Sequence, residues 1–160
     1  MFSSLISPDN IIFNLQSTDK DELFSELVEF LVRKNPSIDR DEALKALENR
    51  EEVKNTQTAP GIAVPHACLS SINKTEIVLG ISRAGIDYEI TEGHSLKDNL
   101  VHFVILILFN AQNTEAHLHL LSDCALILNT QGFYPEVLKA SDANEVYSMI
   151  KEAEYGRLGS

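Results

Sequence analysis

Apolar positions recur with two different rhythms along this chain. In the first third, Leu23, Phe24, Leu27, Phe30 and Leu31 return at helical spacing between polar residues. They predict an amphipathic helix capped by Ser17, Thr18 or Asp19 and ended by Asn35-Pro36. Asp39-Arg40-Asp41-Glu42 has the form of a capping box, with Asp in place of Ser or Thr. It opens a second helix that carries Ala43, Leu44 and Leu47 to about Arg50. The middle third changes to short apolar runs. Ile62-Ala63-Val64, stopped by Pro65, predicts a short strand, as Asn10 to Phe13 does ahead of the first helix, and Glu76 to Ser82 predicts a longer one. Leu100 to Phe109 is apolar at nearly every residue, as in a strand covered on both faces. Between these runs, Glu51 to Gly61 is polar and turn-like. Gly85 to Lys97 reads as a connection with a short edge strand at Ile86 to Ile90. The last third returns to helical spacing. Thr114 is the expected cap of a helix with His117, Leu121, Cys124 and Leu128 on one side. Pro135 to Ala140 predicts a short helix, and Asp142 to Glu145 opens a last one with Val146, Met149 and Ile150 inward. About Tyr155 to Ser160 reads as a frayed tail.

One strand, two helices, a succession of strands and a helical end do not alternate strictly. The expected fold is α/β, with a mixed central sheet, mostly parallel with an antiparallel strand, flanked by helices on both sides. The 160 residues, 44% of them hydrophobic, suit one domain over 1–160 and leave no room for disorder as the main state.

Charge narrows the partners. Twenty-four acids against 13 bases leave a formal net of −11, and no basic tract interrupts them. Nucleic acid and anionic membrane are therefore set aside. The longest apolar run is half the length of a membrane span, so no direct membrane insertion is expected. The N-terminus has no base before Lys20, unlike a signal peptide. Two cysteines, Cys68 and Cys124, make no disulfide framework and fit reduced thiols in a cytoplasm.

The chemistry concentrates in Gly61-Ile62-Ala63-Val64-Pro65-His66-Ala67. Pro65 stiffens the backbone and stops the ladder, so His66 is either a reactive imidazole on a rigid support or a polar residue ending a strand. Arg50, at the end of the second helix, either offsets the helix dipole or forks onto a phosphate or carboxylate. His117 lies near a helix N-terminus, whose N–H groups favour an anion, and is either a ligand for one or a satisfied core histidine. His119 faces another way, and His94 and His102 lack a neighbour at metal-ligand spacing. HExxH, paired CxxC, GxSxG, P-loop and Rossmann patterns are absent. Asp87 or Asp98 could serve a hydrolase, but nothing pairs them with a nucleophile, so a hydrolase has little support, and no metal is expected.

The run from Arg50 to His66, R-E-E-V-K-N-T-Q-T-A-P-G-I-A-V-P-H, resembles the signature of phosphotransferase-system enzyme IIA domains of the fructose/mannitol class, the type 2 family, which includes a nitrogen-regulatory branch. Ala116-His117-Leu118-His119-Leu120-Leu121-Ser122-Asp123-Cys124-Ala125 is similar to that family's second histidine motif. The resemblance implies a mixed sheet between helices. It also implies that His66 accepts a phosphoryl group, that Arg50 and His117 stabilise it, and that the loop of Thr56 lies beside the site. The implied donor is phospho-HPr or a related carrier protein. The implied acceptor is a cysteine of an EIIB domain, for sugar uptake, or alternatively the phosphorylation state controls a regulated partner protein. No cofactor is implied. The chain departs from the family where glycines are usual: Gln57 and Ala59 replace two of them, and Pro60 fills the variable position.

Overall fold

The computed structural model describes residues 1–89 and 100–158. Its centre is a six-stranded mixed sheet: β1 (Ile11–Ile12), β2 (Gln57–Ala59), β3 (Ile62–Ala63), β4 (His66–Leu69), β5 (Glu76–Asp87) and β6 (Leu100–Asn110). The order is β1-β5-β6-β3-β2, with β4 also paired to β6. β1 runs parallel to β5, and both β3 and β4 run parallel to β6. The long β5–β6 pairing and the short β2–β3 pairing are antiparallel. The expected mixed α/β sheet is therefore present.

β6 shows why the apolar run reads on both faces. Phe103, Ile105, Ile107 and Phe109 enter one core with α3 (Thr114–Leu128), α4 (Phe133–Val137) and α5 (Ala143–Leu158). Val104, Leu106 and Leu108 enter the other, with α1 (Lys20–Lys34) and α2 (Arg40–Val53). Helices thus cover both faces of the sheet. A strand buried on both faces has no polar side to alternate with.

Helix starts follow local capping chemistry. Asp19 accepts from the Glu22 amide at 2.8 Å and Asp39 from the Glu42 amide at 3.1 Å. The Asp39 box is only half closed, because the Glu42 carboxylate turns away to the Ser70 amide at 2.9 Å. α3 is capped by Asn113, not Thr114: Asn113 Oδ1 accepts from the Ala116 amide at 3.0 Å. Its inward side is His117, Leu120, Cys124 and Ile127. The expected Leu121 and Leu128 are only partly buried.

The polar stretch after Arg50 holds more structure than its composition suggests. α2 continues to Val53, and Gln57–Ala59 forms a strand against β3. Ile86 belongs to β5 instead of starting a separate edge strand. The strand bends through a register shift between Ile81 and Ile86, with Gly85 at φ 93°. A Cβ on Gly85 would meet Leu100 Cβ at 2.9 Å, so the bend needs glycine for space as well as for φ. The helix at the C-terminus runs to Leu158, beyond the point where fraying was expected. Ile90, His94 and Asp98 lie outside the described residues.

Candidate functional site

β3 and β4 are two halves of one line along β6, interrupted at Val64-Pro65. Pro65 has no N–H to give, but its carbonyl accepts from the Ile107 amide at 3.0 Å. His66 therefore opens the second half; it does not end the strand. Its ring turns back on the break, and Nδ1 lies 2.9 Å from the Val64 carbonyl. A carbonyl can only accept, so Nδ1 carries the proton and donates. Nε2 is then the nitrogen with a lone pair. Burial and the Arg50 charge hold the imidazole below its ordinary 6.5, outweighing the opposing pull of the Val64 carbonyl and Glu51. That shift favours the neutral ring.

Beside His66 is a cleft of about 430 Å3. Arg50, Thr56, Gln57 and Ala59 line it together with Leu121, Cys124 and Leu128 of α3. Arg50 reaches it from the last turn of α2, where its Nη1 donates to the Lys54 carbonyl at 2.7 Å. Lys54 is the residue after the helix, so the guanidinium caps its own helix while keeping further donors. The two sequence readings of Arg50 are thus compatible. Cys124, also in the lining, is inert, because burial pushes its thiol up to about 12.

His117 reaches the same neighbourhood from the N-terminus of α3. It is buried, and its ring stacks on Phe109 with centroids 4.2 Å apart and planes 24° apart. His66 meets the same Phe109 ring edge-on at 6.3 Å. One phenyl ring from β6 therefore seats both imidazoles. Cys68, two residues along β4 and on the same side as His66, brings its Sγ to 3.8 Å from His117 Nδ1. His117's own amide is engaged by the Asn113 carbonyl at 3.2 Å, so it is not one of the free helix-start donors.

Thr56 lies behind Arg50 in a buried network. Its hydroxyl donates to Glu51 Oε1 and sits 2.6 Å from the Tyr88 hydroxyl, while its amide donates to Glu51 Oε2 at 3.1 Å. Lys20 Nζ completes the group at 3.3 Å from Glu51, with both side chains under a tenth exposed. Burial and the Glu51 charge push the Tyr88 hydroxyl far up, so it stays protonated and donates to Glu51 at 2.7 Å.

Arg50, Thr56 and His66 therefore share one cleft, and His117 joins them through Phe109 and Cys68. His102 stands apart, with Nδ1 on the Ser82 carbonyl at 2.8 Å, and His119 is exposed. Sequence reasoning missed Phe109, Cys68, Glu51, Tyr88 and Lys20. Two of these had a signal: Glu51 adjoins Arg50, and Cys68 shares the period-two face of His66. Among the described residues, no group of three or more His, Cys, Asp or Glu side chains is arranged to hold a metal ion.

Known proteins resemble this chain in sequence and in fold. The sequence profile of the phosphoenolpyruvate-dependent sugar phosphotransferase system EIIA 2 family matches residues 4–153. The fructose-specific EIIABC component of Bacillus subtilis (strain 168) is 27% identical over 150 residues. That match covers 94% of this chain but only 23% of the Bacillus protein. The mannitol-specific enzyme IIA component of Staphylococcus aureus (strain MRSA252) is 28% identical over 95% of this chain and 99% of its own length. Among solved structures, the nitrogen regulatory protein IIA-Ntr of Neisseria meningitidis superposes with a TM-score of 0.81 at 20% identity, covering 92% of this chain and 97% of its own. Enzyme IIA-mannitol of Escherichia coli, solved in complex with phosphorylated enzyme IIB-mannitol, gives 0.72 at 21% identity over 91% and 96%. A match over nearly the whole chain places this protein in the EIIA type 2 family of the sugar phosphotransferase system.

Proposed function

We propose that this chain is a phosphocarrier that accepts a phosphoryl group on His66 Nε2 from a phosphohistidine carrier of the HPr kind and yields it to a cysteine of an EIIB domain. The observation that carries this reading is the bond from His66 Nδ1 to the Val64 carbonyl at 2.9 Å. It leaves one nitrogen with a lone pair beside a cleft that also holds the Arg50 guanidinium.

In the first step the Nε2 lone pair forms an N–P bond as the donor's N–P bond breaks, and the donor imidazole departs with the electron pair. In the second, a cysteine thiolate forms an S–P bond and the electron pair returns to Nε2. The transition state is loose, with charge on three equatorial oxygens, so positioning and electrostatics dominate. Arg50 supplies fixed positive charge to those oxygens, and His117 supplies a ring N–H from beside Phe109. Nδ1 of His66, held on the carbonyl, keeps its proton throughout, and the two rings need no metal. Leu118, next to His117 and 64% exposed, and Val53, 81% exposed at the end of α2, offer apolar surface for transient docking. Membership of the family supports action in the cytoplasm.

The test is incubation with phosphorylated carrier. An acid-labile label is expected on the wild type and none on His66→Ala. Arg50→Ala and His117→Ala should label slowly while staying folded. Label persisting in His66→Ala contradicts the assignment. Label that moves to no EIIB cysteine, but changes binding of a partner protein, marks the nitrogen-regulatory form of the same chemistry.

A further inference from the structure

We infer that Glu51 is a positioning residue, whose carboxylate holds the Lys54–Thr56 turn so that His66 and Arg50 are oriented together. The inference rests on the phosphocarrier reading for its kinetic consequence but not for its structural one.

The route is continuous. Glu51 Oε2 accepts from the Thr56 amide, and Oε1 from the Thr56 hydroxyl. The Thr56 carbonyl then accepts from the Val64 amide at 3.0 Å, and the Val64 carbonyl accepts from His66 Nδ1 at 2.9 Å. From the same turn, the Lys54 carbonyl receives Arg50 Nη1. One carboxylate thus governs the segment on which both the imidazole and the guanidinium lean.

The chemistry of the network requires a carboxylate. Glu51 receives four donors: Lys20 Nζ, the Thr56 amide, the Thr56 hydroxyl and the Tyr88 hydroxyl. An ionised carboxylate has about four lone-pair sites, whereas a glutamine oxygen has two. Lys20 Nζ also lies 4.7 Å from the Tyr88 ring centroid and 3.2 Å from exposed Glu89. Stability alone is a poor account of such a group, since a buried Lys–Glu pair is often no better than apolar residues of similar volume. Apolar replacements, however, would leave the Thr56 amide and hydroxyl with nothing to hold them.

The test uses the full chain and two variants, Lys20→Met/Glu51→Gln and Thr56→Val. The first removes both charges together, so that neither is left buried alone. Nitrogen-15 NMR reads the His66 tautomer, and phosphotransfer kinetics read kcat and KM for the donor carrier. The double variant should lose part of its Nδ1–H population at His66 and about tenfold in kcat, with KM for the carrier within twofold. Thr56→Val, which keeps the ion pair, should show the same direction at about threefold. Wild-type His66 nitrogen shifts and kcat in a folded double variant overturn the inference. If the double variant does not fold, unchanged shifts in Thr56→Val overturn it. If no carrier phosphorylates even the wild type, the phosphocarrier reading fails, and the nitrogen shifts alone decide the role of Glu51.

Discussion

The back and the front of this site are built on opposite terms. Behind Arg50, the Glu51 carboxylate is saturated by Lys20, Thr56 and Tyr88, all buried. In front, His66 has one carbonyl partner, and His117 leans on a phenyl face and a thiol. Saturated polar groups in a dry interior hold one geometry and react poorly. Groups with a single partner keep a free nitrogen for chemistry. The contrast predicts that damage at the back appears first as lost stability, and damage at the front as lost transfer with the fold retained.

Glu51→Ala should have the largest effect, because it leaves the Lys20 ammonium buried beside Tyr88 without its buried partner. A loss of about 3–5 kcal/mol in urea denaturation is expected; a loss under about 1 kcal/mol would break the contrast. Arg50→Ala, at the front, should slow phosphoryl transfer by ~10²-fold in single-turnover kinetics. Its unfolding free energy should change by less than about 1 kcal/mol, as for other partly exposed sites.

Gly61→Ala probes the turn between β2 and β3. Gly61 has φ 82°, and an added Cβ would overlap the Tyr134 ring. A loss of about 1–3 kcal/mol is expected by thermal unfolding. Smaller is the pH response. In the proposed phosphocarrier, transfer to His66 needs the neutral ring, whose pKa is held below the ordinary 6.5. The rate should stay flat from pH 8 to 7 and fall only below about pH 6.5, as protonation removes the Nε2 lone pair. A decline that begins above pH 7 would mean that burial and Arg50 do not govern the ring. Cys68→Ser should matter least, within about twofold in rate, since a hydroxyl can replace the thiol beside His117 Nδ1.

The sequence is read well where one physical force dominates. Leu100 to Phe109 is apolar because helices cover both sheet faces, and the Asp19 and Asp39 caps act within one turn. Gln57–Ala59 escapes notice because its pairing with β3 is a backbone matter that polar side chains do not announce. Asn113 and Thr114 are both good caps, and only the backbone angles choose between them. At the site, Arg50 and His66 could be read together through their motif. The buried network could not, because Lys20 meets Glu51 across 31 positions and Thr56 meets Tyr88 across 32. Phe109 is hidden for another reason: within an unbroken apolar run nothing marks the one ring that touches two imidazoles.

The most direct measurement is phosphorus-31 and nitrogen-15 NMR of the chain after incubation with phosphorylated carrier. The account predicts a single phosphohistidine, at His66, with phosphorus bonded to Nε2 and the proton retained on Nδ1. Phosphorus on Nδ1, or on a residue other than His66, would contradict it.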